Sequence, residues 1–102
     1  MLKYIIIRTQ DQHGTNHDLP VLFPTAINHK EMYDSTRRAI RKSGTGHIWQ
    51  ECVGAGFCQV TGDIITCSGR SESLDIACRP LLDEQAIMRA EAFSKTNIET
   101  ME

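Results

Sequence analysis

Apolar positions come in short bursts along the chain, and the spacing within each burst assigns it an element. Residues 2–9 carry Leu2, Tyr4 and the run Ile5-Ile6-Ile7, the β-branched and aromatic composition of a strand. Residues 10–18 are polar or turn-forming throughout and predict an exposed loop. Leu19–Phe23 is apolar again. Pro20 and Pro24 mark it as a short or edge strand, which pairs antiparallel with the first.

Asn28 with Glu31 three residues on has the form of a helix N-cap and capping box, so a helix is expected from about His29 to Lys42, ending near Gly44. Met32, Thr36, Ala39 and Ile40 give it one narrow apolar stripe. A strand over His47–Val53 follows, with a bend or bulge at Gly54-Ala55-Gly56.

Thr61-Gly62-Asp63-Ile64 places glycine at the first central position of a two-residue turn, as a type II′ hairpin requires. Centring the hairpin there pairs Thr61 with Ile64, Val60 with Ile65, Gln59 with Thr66 and Cys58 with Cys67. Cys58, Val60, Ile65 and Cys67 then share an apolar face, and Phe57, Gln59, Thr66 and Ser68 a mostly polar one. Gly69–Glu72 reads as the next turn, and Leu74, Ile76 and Cys78 alternate as in a half-buried strand. Pro80 opens a second helix with Asp83 and Glu84 in its first turn. It is expected to present Leu82, Ala86, Ala90 and Phe93 on one face and to end near Lys95, with 96–102 a frayed tail. The expected fold is one α+β domain over residues 1–102. It has an antiparallel sheet of about four to five strands and two helices packed on one face.

Composition narrows the function classes. A chain of 102 residues buries roughly two-thirds of its unfolded surface without a metal or disulfide staple. A net charge of −2 argues against nucleic acid as the partner. The apolar run between Lys3 and Arg8 is too short for a signal segment or membrane span, so a cytoplasmic protein with reduced thiols is expected.

Several groups of residues are candidates for chemistry. Cys52, Cys58, Cys67 and Cys78 contain no close pair of the zinc-binding kind and read as buried structural thiols. His13 and His17, near Asp11 and Asp18, have metal-ligating chemistry but no helical register to align them, so loop polarity is the reading and no metal or other cofactor is expected. Arg37, Arg38, Arg41 and Lys42 favour the negative end of the first helix and are a candidate partner surface; Asp34 stands at i, i+4 spacing from Arg38. Arg70, Ser71 and Ser73 at a strand turn, with Arg79 at the start of the second helix, are the candidate ligand-binding group. Arg70 and Arg79 flank one strand, about 25–30 Å apart if extended, so a shared pocket would need a dimer interface. Trp49 and Phe57 are candidate core or interface anchors. The glycine pairs Gly44/Gly46 and Gly54/Gly56 do not form a phosphate loop.

At Tyr4–Gln10, Pro20–Pro24, Asn28-His29 and Gly69–Leu74, followed by Arg79-Pro80, the chain resembles small proteins encoded by bacteriophages and prophages. The resemblance implies an accessory protein acting in a bacterial host's cytoplasm. Such proteins often oppose host defences by binding a host protein or by sequestering a signalling nucleotide. The expectation is therefore a non-catalytic interaction protein, forming a homodimer through an uncovered sheet face. The alternatives are a sponge for an anionic nucleotide at a dimer interface, and a cysteine- or metal-dependent enzyme.

Overall fold

The computed structural model describes the backbone over residues 1–43 and 49–101, and side chains over 1–42 and 51–90. The chain runs β1 (Leu2–Gln10), β2 (Asn16–Phe23), α1 (His29–Ser43), β3 (Trp49–Thr61), β4 (Ile64–Ser68), β5 (Arg70–Ser71), β6 (Ile76–Ala77) and α2 (Pro80–Met101). The first four strands make one antiparallel sheet in the order β2-β1-β3-β4, and β5 and β6 make a separate two-stranded ladder. The α+β class is as expected. Gly44, Thr45, Gly46, His47 and Ile48, and the side chains of Trp49, Phe93 and Lys95, lie outside the described residues. Among the described residues no helix is long and apolar enough to cross a membrane.

The hairpin at Gly62 forms in the register read from the sequence, with Cys58 opposite Cys67 and Val60 opposite Ile65. Gly62 has φ 60° and Asp63 does not share a positive φ, the signature of a type II′ turn. The loop expected over 10–18 is much shorter. Asp11 ties it down: its Oδ1 accepts the backbone N–H groups of His13 and Thr15 at 2.9 and 3.0 Å, and its Oδ2 lies 2.9 Å from His17 Nε2. The polar residues Asn16, His17 and Asp18 therefore belong to edge strand β2, where polar side chains meet water.

The two helices do not share a face of the sheet. Along β1, Ile5 and Ile7 pack with Phe23 and Ala55 against Ile27, Met32, Tyr33 and Ile40 of the α1 layer. Tyr4 and Ile6 point the other way, into a core with Cys58, Ile65, Cys67 and Ile87 of α2. An uninterrupted Tyr-Ile-Ile-Ile run has this physical meaning: both faces of the strand are buried, so both need a covering layer. The sheet area left open near Gln59, Thr66 and Ser68 is polar and exposed.

Three local expectations change for definite reasons. The segment Leu74–Cys78 is not one strand. Asp75 takes φ 54° in a turn over 72–75, Arg70 pairs with Ala77, and the Cys78 N–H donates to the Gly69 carbonyl at 3.0 Å. Leu74 and Ile76 then lie on the α1 side and Cys78 on the α2 side. On α1 the buried stripe uses Met32, Tyr33 and Ile40, whereas Ala39 is exposed. Among the described residues of α2 the fully buried positions are Asp83 and Ile87, one turn apart, and the helix continues past Lys95 to Met101. The irregularity expected near Gly54 is a bulge: Ile6 faces Gly54 but Ile7 faces Cys52, leaving Val53 as the extra residue.

Candidate functional site

The sheet's alternation builds a site at one end of the α2 layer. Tyr4, Ile6 and Arg8 form one row of β1, opposite Leu22, Pro20 and Asp18 of β2. The first two members of the row are in the core, and the third reaches an open cleft of about 690 Å³ between β2 and α2. Helix α2 supplies the other wall. Leu82, Ala86 and Ala90 line it, with Arg79 and Arg89 at its two ends. Steps of three or four residues, from Arg79 just before the helix to Leu82, Ala86 and then Arg89 or Ala90, keep all five on one side of α2. The stripe read from the sequence at Leu82, Ala86 and Ala90 is therefore present, but it borders a cleft and Leu82 remains 56% exposed.

Three guanidinium groups, from β1 and from the two ends of the α2 wall, thus line the cleft with one carboxylate, Asp18, and of the three Arg8 binds it directly. Arg8 grips it side-on, Nε to Oδ1 at 2.8 Å and Nη2 to Oδ2 at 3.1 Å. The hydrogen bonds from Arg8 hold the Asp18 carboxyl below the usual carboxylate range against the cost of its desolvation, and the charges of Arg8, Arg79 and Arg89 add to the pull. Asn16, Leu19 and Pro20 complete the β2 side.

Arg79 is anchored from behind. Asp83 is fully buried against the backbone of Gly54, and its Oδ2 accepts the Arg79 backbone N–H at 2.9 Å and the Tyr4 hydroxyl at 2.5 Å. Its Oδ1 accepts Arg79 Nε at 3.0 Å. Arg79 Nη2 lies 2.9 Å from the same oxygen, in an ionic contact whose angle leaves that nitrogen without a hydrogen-bond acceptor. Asp83 therefore caps α2, since Arg79 is the residue whose carbonyl accepts the first helical bond, from the Asp83 N–H at 2.8 Å. The cost of burying the carboxylate is offset by this set of donors. Burial, followed by the bonds to Asp83 and Cys78, holds the Tyr4 phenol in its neutral form far above its ordinary pKa.

The four residues expected to bind a ligand are not gathered in one place. Arg70 and Ser73 border a smaller cavity of about 400 Å³ on the α1 side, with Lys3, Asn28, His29 and Phe57. Arg70 is engaged by Asp75. Ser71 is buried, and its Oγ accepts the Leu74 N–H at 3.1 Å. Ser73 Oγ accepts the Lys30 N–H at 3.2 Å, sharing the α1 N-terminus with Asn28 Oδ1 at 2.8 Å. These hydroxyls hold a turn against a helix end. Arg79 stands in the α2 cleft instead. Because β5 and β6 fold back on each other, Arg70 and Arg79 are parted by the sheet and not by an extended strand.

The other candidates also have defined places. Arg37 stacks on Tyr33, its guanidinium carbon 5.3 Å from the ring centroid, while Arg38 and Arg41 are exposed. Asp34 pairs with Lys30 at 3.4 Å rather than with Arg38. His29, which was not singled out in the sequence, is buried edge-on between Phe23 and Phe57, with Nε2 2.9 Å from the Gly56 carbonyl oxygen. The four cysteines form no disulfide with one another, and Cys58 and Cys67 are buried. Burial raises the thiol of Cys52 to about 11 and that of Cys67 to about 12. Among the described residues no group of three or more His, Cys, Asp or Glu side chains is placed to hold a metal. Comparison with protein-family models, curated proteins and solved structures finds no match for this chain.

Proposed function

We propose that the protein acts by binding, without chemistry of its own, and that the cleft between β2 and α2 is its binding surface for an anionic partner. The observation that carries this reading is the gathering of Arg8, Arg79 and Arg89 along one open, partly apolar cleft whose lining carboxylate is Asp18 alone. Guanidinium groups held on strands and helices are pre-set for charge-assisted hydrogen bonds to anions. The resemblance to phage and prophage accessory proteins supports a partner that is a component of a bacterial cytoplasm, bound and thereby inhibited or sequestered.

The test compares wild-type protein with Arg89→Glu, a change at an exposed position. Both are purified gently from a bacterial host and examined by native mass spectrometry, which also reads the oligomeric state. A protein or small molecule carried by the wild type and lost from Arg89→Glu supports the reading. Equal loading of the two proteins, or none on either, counts against it.

A further inference from the structure

We infer that the α2 cleft is a site for a small organic phosphate, a phosphate head group on an apolar body, and that Asp18 occupies the place of that head group in the unliganded protein. This rests on the binding reading above and adds the ligand's chemical class.

The argument begins with the guanidinium fork. Arg8 presents Nε and Nη2 to the two oxygens of Asp18 at 2.8 and 3.1 Å. A phosphate offers the same pair of acceptors at matching spacing, with more charge. The Arg8–Asp18 pair is only partly buried, its side chains 33% and 31% exposed. Pairs so placed contribute little to stability, so an incoming anion can exchange with the carboxylate at small cost. Arg79 adds a second guanidinium whose orientation is fixed by buried Asp83. Arg89 adds a third from the rim, on the same face of α2.

Asp83 already neutralises Arg79, so once Asp18 swings aside the two charges of Arg8 and Arg89 match a doubly charged head group. Apart from Asn16 the remaining wall is aliphatic: Leu19, Pro20, Leu82 and Ala86 line the cleft beside the arginines. A bare inorganic anion would leave that wall unused, whereas an organic body would cover it. A volume of about 690 Å³ is large enough for a compact organic ligand.

The experiment is calorimetric titration of the full chain with two probes, ADP and inorganic pyrophosphate. The proteins are wild type, Arg89→Ala, Asp18→Asn and, as a control on the opposite layer, Arg41→Ala. ADP is expected to bind more tightly than pyrophosphate. Arg89→Ala should weaken ADP about tenfold, the usual consequence of losing one charge-assisted contact. Asp18→Asn should tighten ADP several-fold, because the competing carboxylate is gone; a purely structural Asp18 would give no change or a loss. Arg41→Ala should bind as wild type does. Absence of binding by both probes at millimolar concentration overturns the inference, as does equal ADP affinity in wild type and Arg89→Ala. Pyrophosphate binding as tight as ADP overturns the organic body, and unchanged or weaker ADP binding by Asp18→Asn overturns the role given to Asp18. If neither probe binds while a host component is carried by wild type and lost from Arg89→Glu, the ligand class fails and the binding reading stands.

Discussion

Replacing Tyr4 by phenylalanine removes one oxygen from the centre of the molecule and should cost far more than its size suggests. The ring is fully buried and is retained, so the change opens almost no cavity. What is lost is a hydrogen bond of 2.5 Å to a fully buried carboxylate. Bonds to charged groups contribute about 1.5–3 kcal/mol. The larger penalty for stranding a buried charge is not reached, because Asp83 keeps the backbone N–H and Nε of Arg79 at 2.9 and 3.0 Å. At about 4–8 °C per kcal/mol for a chain of this size, the melting temperature should fall by about 10 °C. Urea titration at neutral pH measures the free energy directly.

The pH dependence gives a second readout of the same bond. The folded protein holds the Tyr4 phenol neutral well above its ordinary value of 10.0. Its contribution is therefore complete below pH 10 and is lost as the pH climbs beyond that, when the unfolded chain releases the proton and the folded one does not. Wild-type stability should decline more steeply above pH 10 than that of Tyr4→Phe. A Tyr4→Phe protein within about 0.5 kcal/mol of wild type, the range of an ordinary surface change, would refute this account of the core.

Other positions give independent checks. Gly54→Ala would put a methyl group 2.6 Å from both oxygens of Asp83, an overpacking cost of about 1–3 kcal/mol that should shrink in an Asp83→Ala background; equal urea midpoints for wild type and Gly54→Ala would contradict it. Buried Cys58 and Cys67 should resist iodoacetamide at pH 8 until the chain unfolds, and mass-spectrometric labelling at the rate of a free thiol would show the cores to be open. The raised thiols of Cys52 and Cys67 stabilise the fold fully below pH 9 and cease to do so as the pH passes about 11 and 12, so the alkaline decline should begin near pH 9; a flat stability profile from pH 8 to 11 would contradict the burial. In Glu84→Ala the Cys67 N–H loses the carboxylate that accepts it at 2.9 Å, and its hydrogen exchange should accelerate relative to the other amides of β4; unchanged protection would remove Glu84 as the partner of this edge strand.

What the sequence made legible was local. The Gly62 turn fixes two phases at once, the hairpin geometry and the inward set of Cys58, Ile65 and Cys67, and these agree, while Val60 beside the turn stays exposed. Asn28 caps α1 where the capping pattern places it. Reading failed where a polar residue is buried or an apolar one exposed. Asp83 is a core residue that no search for apolar stripes would select, so the buried seam of α2 was displaced to Leu82. The run Ile5-Ile6-Ile7 did carry the missing information, because a strand buried on both faces demands two covering layers, yet element order alone suggested one. The arginine cleft was invisible for another reason: positions 8, 18, 79 and 89 meet only after α2 packs beside β2, and no local spacing encodes that meeting. Arg79 lines this cleft, whereas the ladder of β5 and β6 places its expected companions Arg70 and Ser73 on the other side.

The alternation of β1 between two cores makes that strand a party wall. Ile5 and Ile7 belong to one room, Tyr4 and Ile6 to the other, and no residue of the run is spare. Neither helical layer can be pared away without baring every second side chain of the same strand to water. The molecule therefore has no smaller half that could be inherited, fused or truncated as a working unit. A cleft on the α2 side and a cavity on the α1 side are consequently tied to a single act of folding, although the sheet keeps their contents apart.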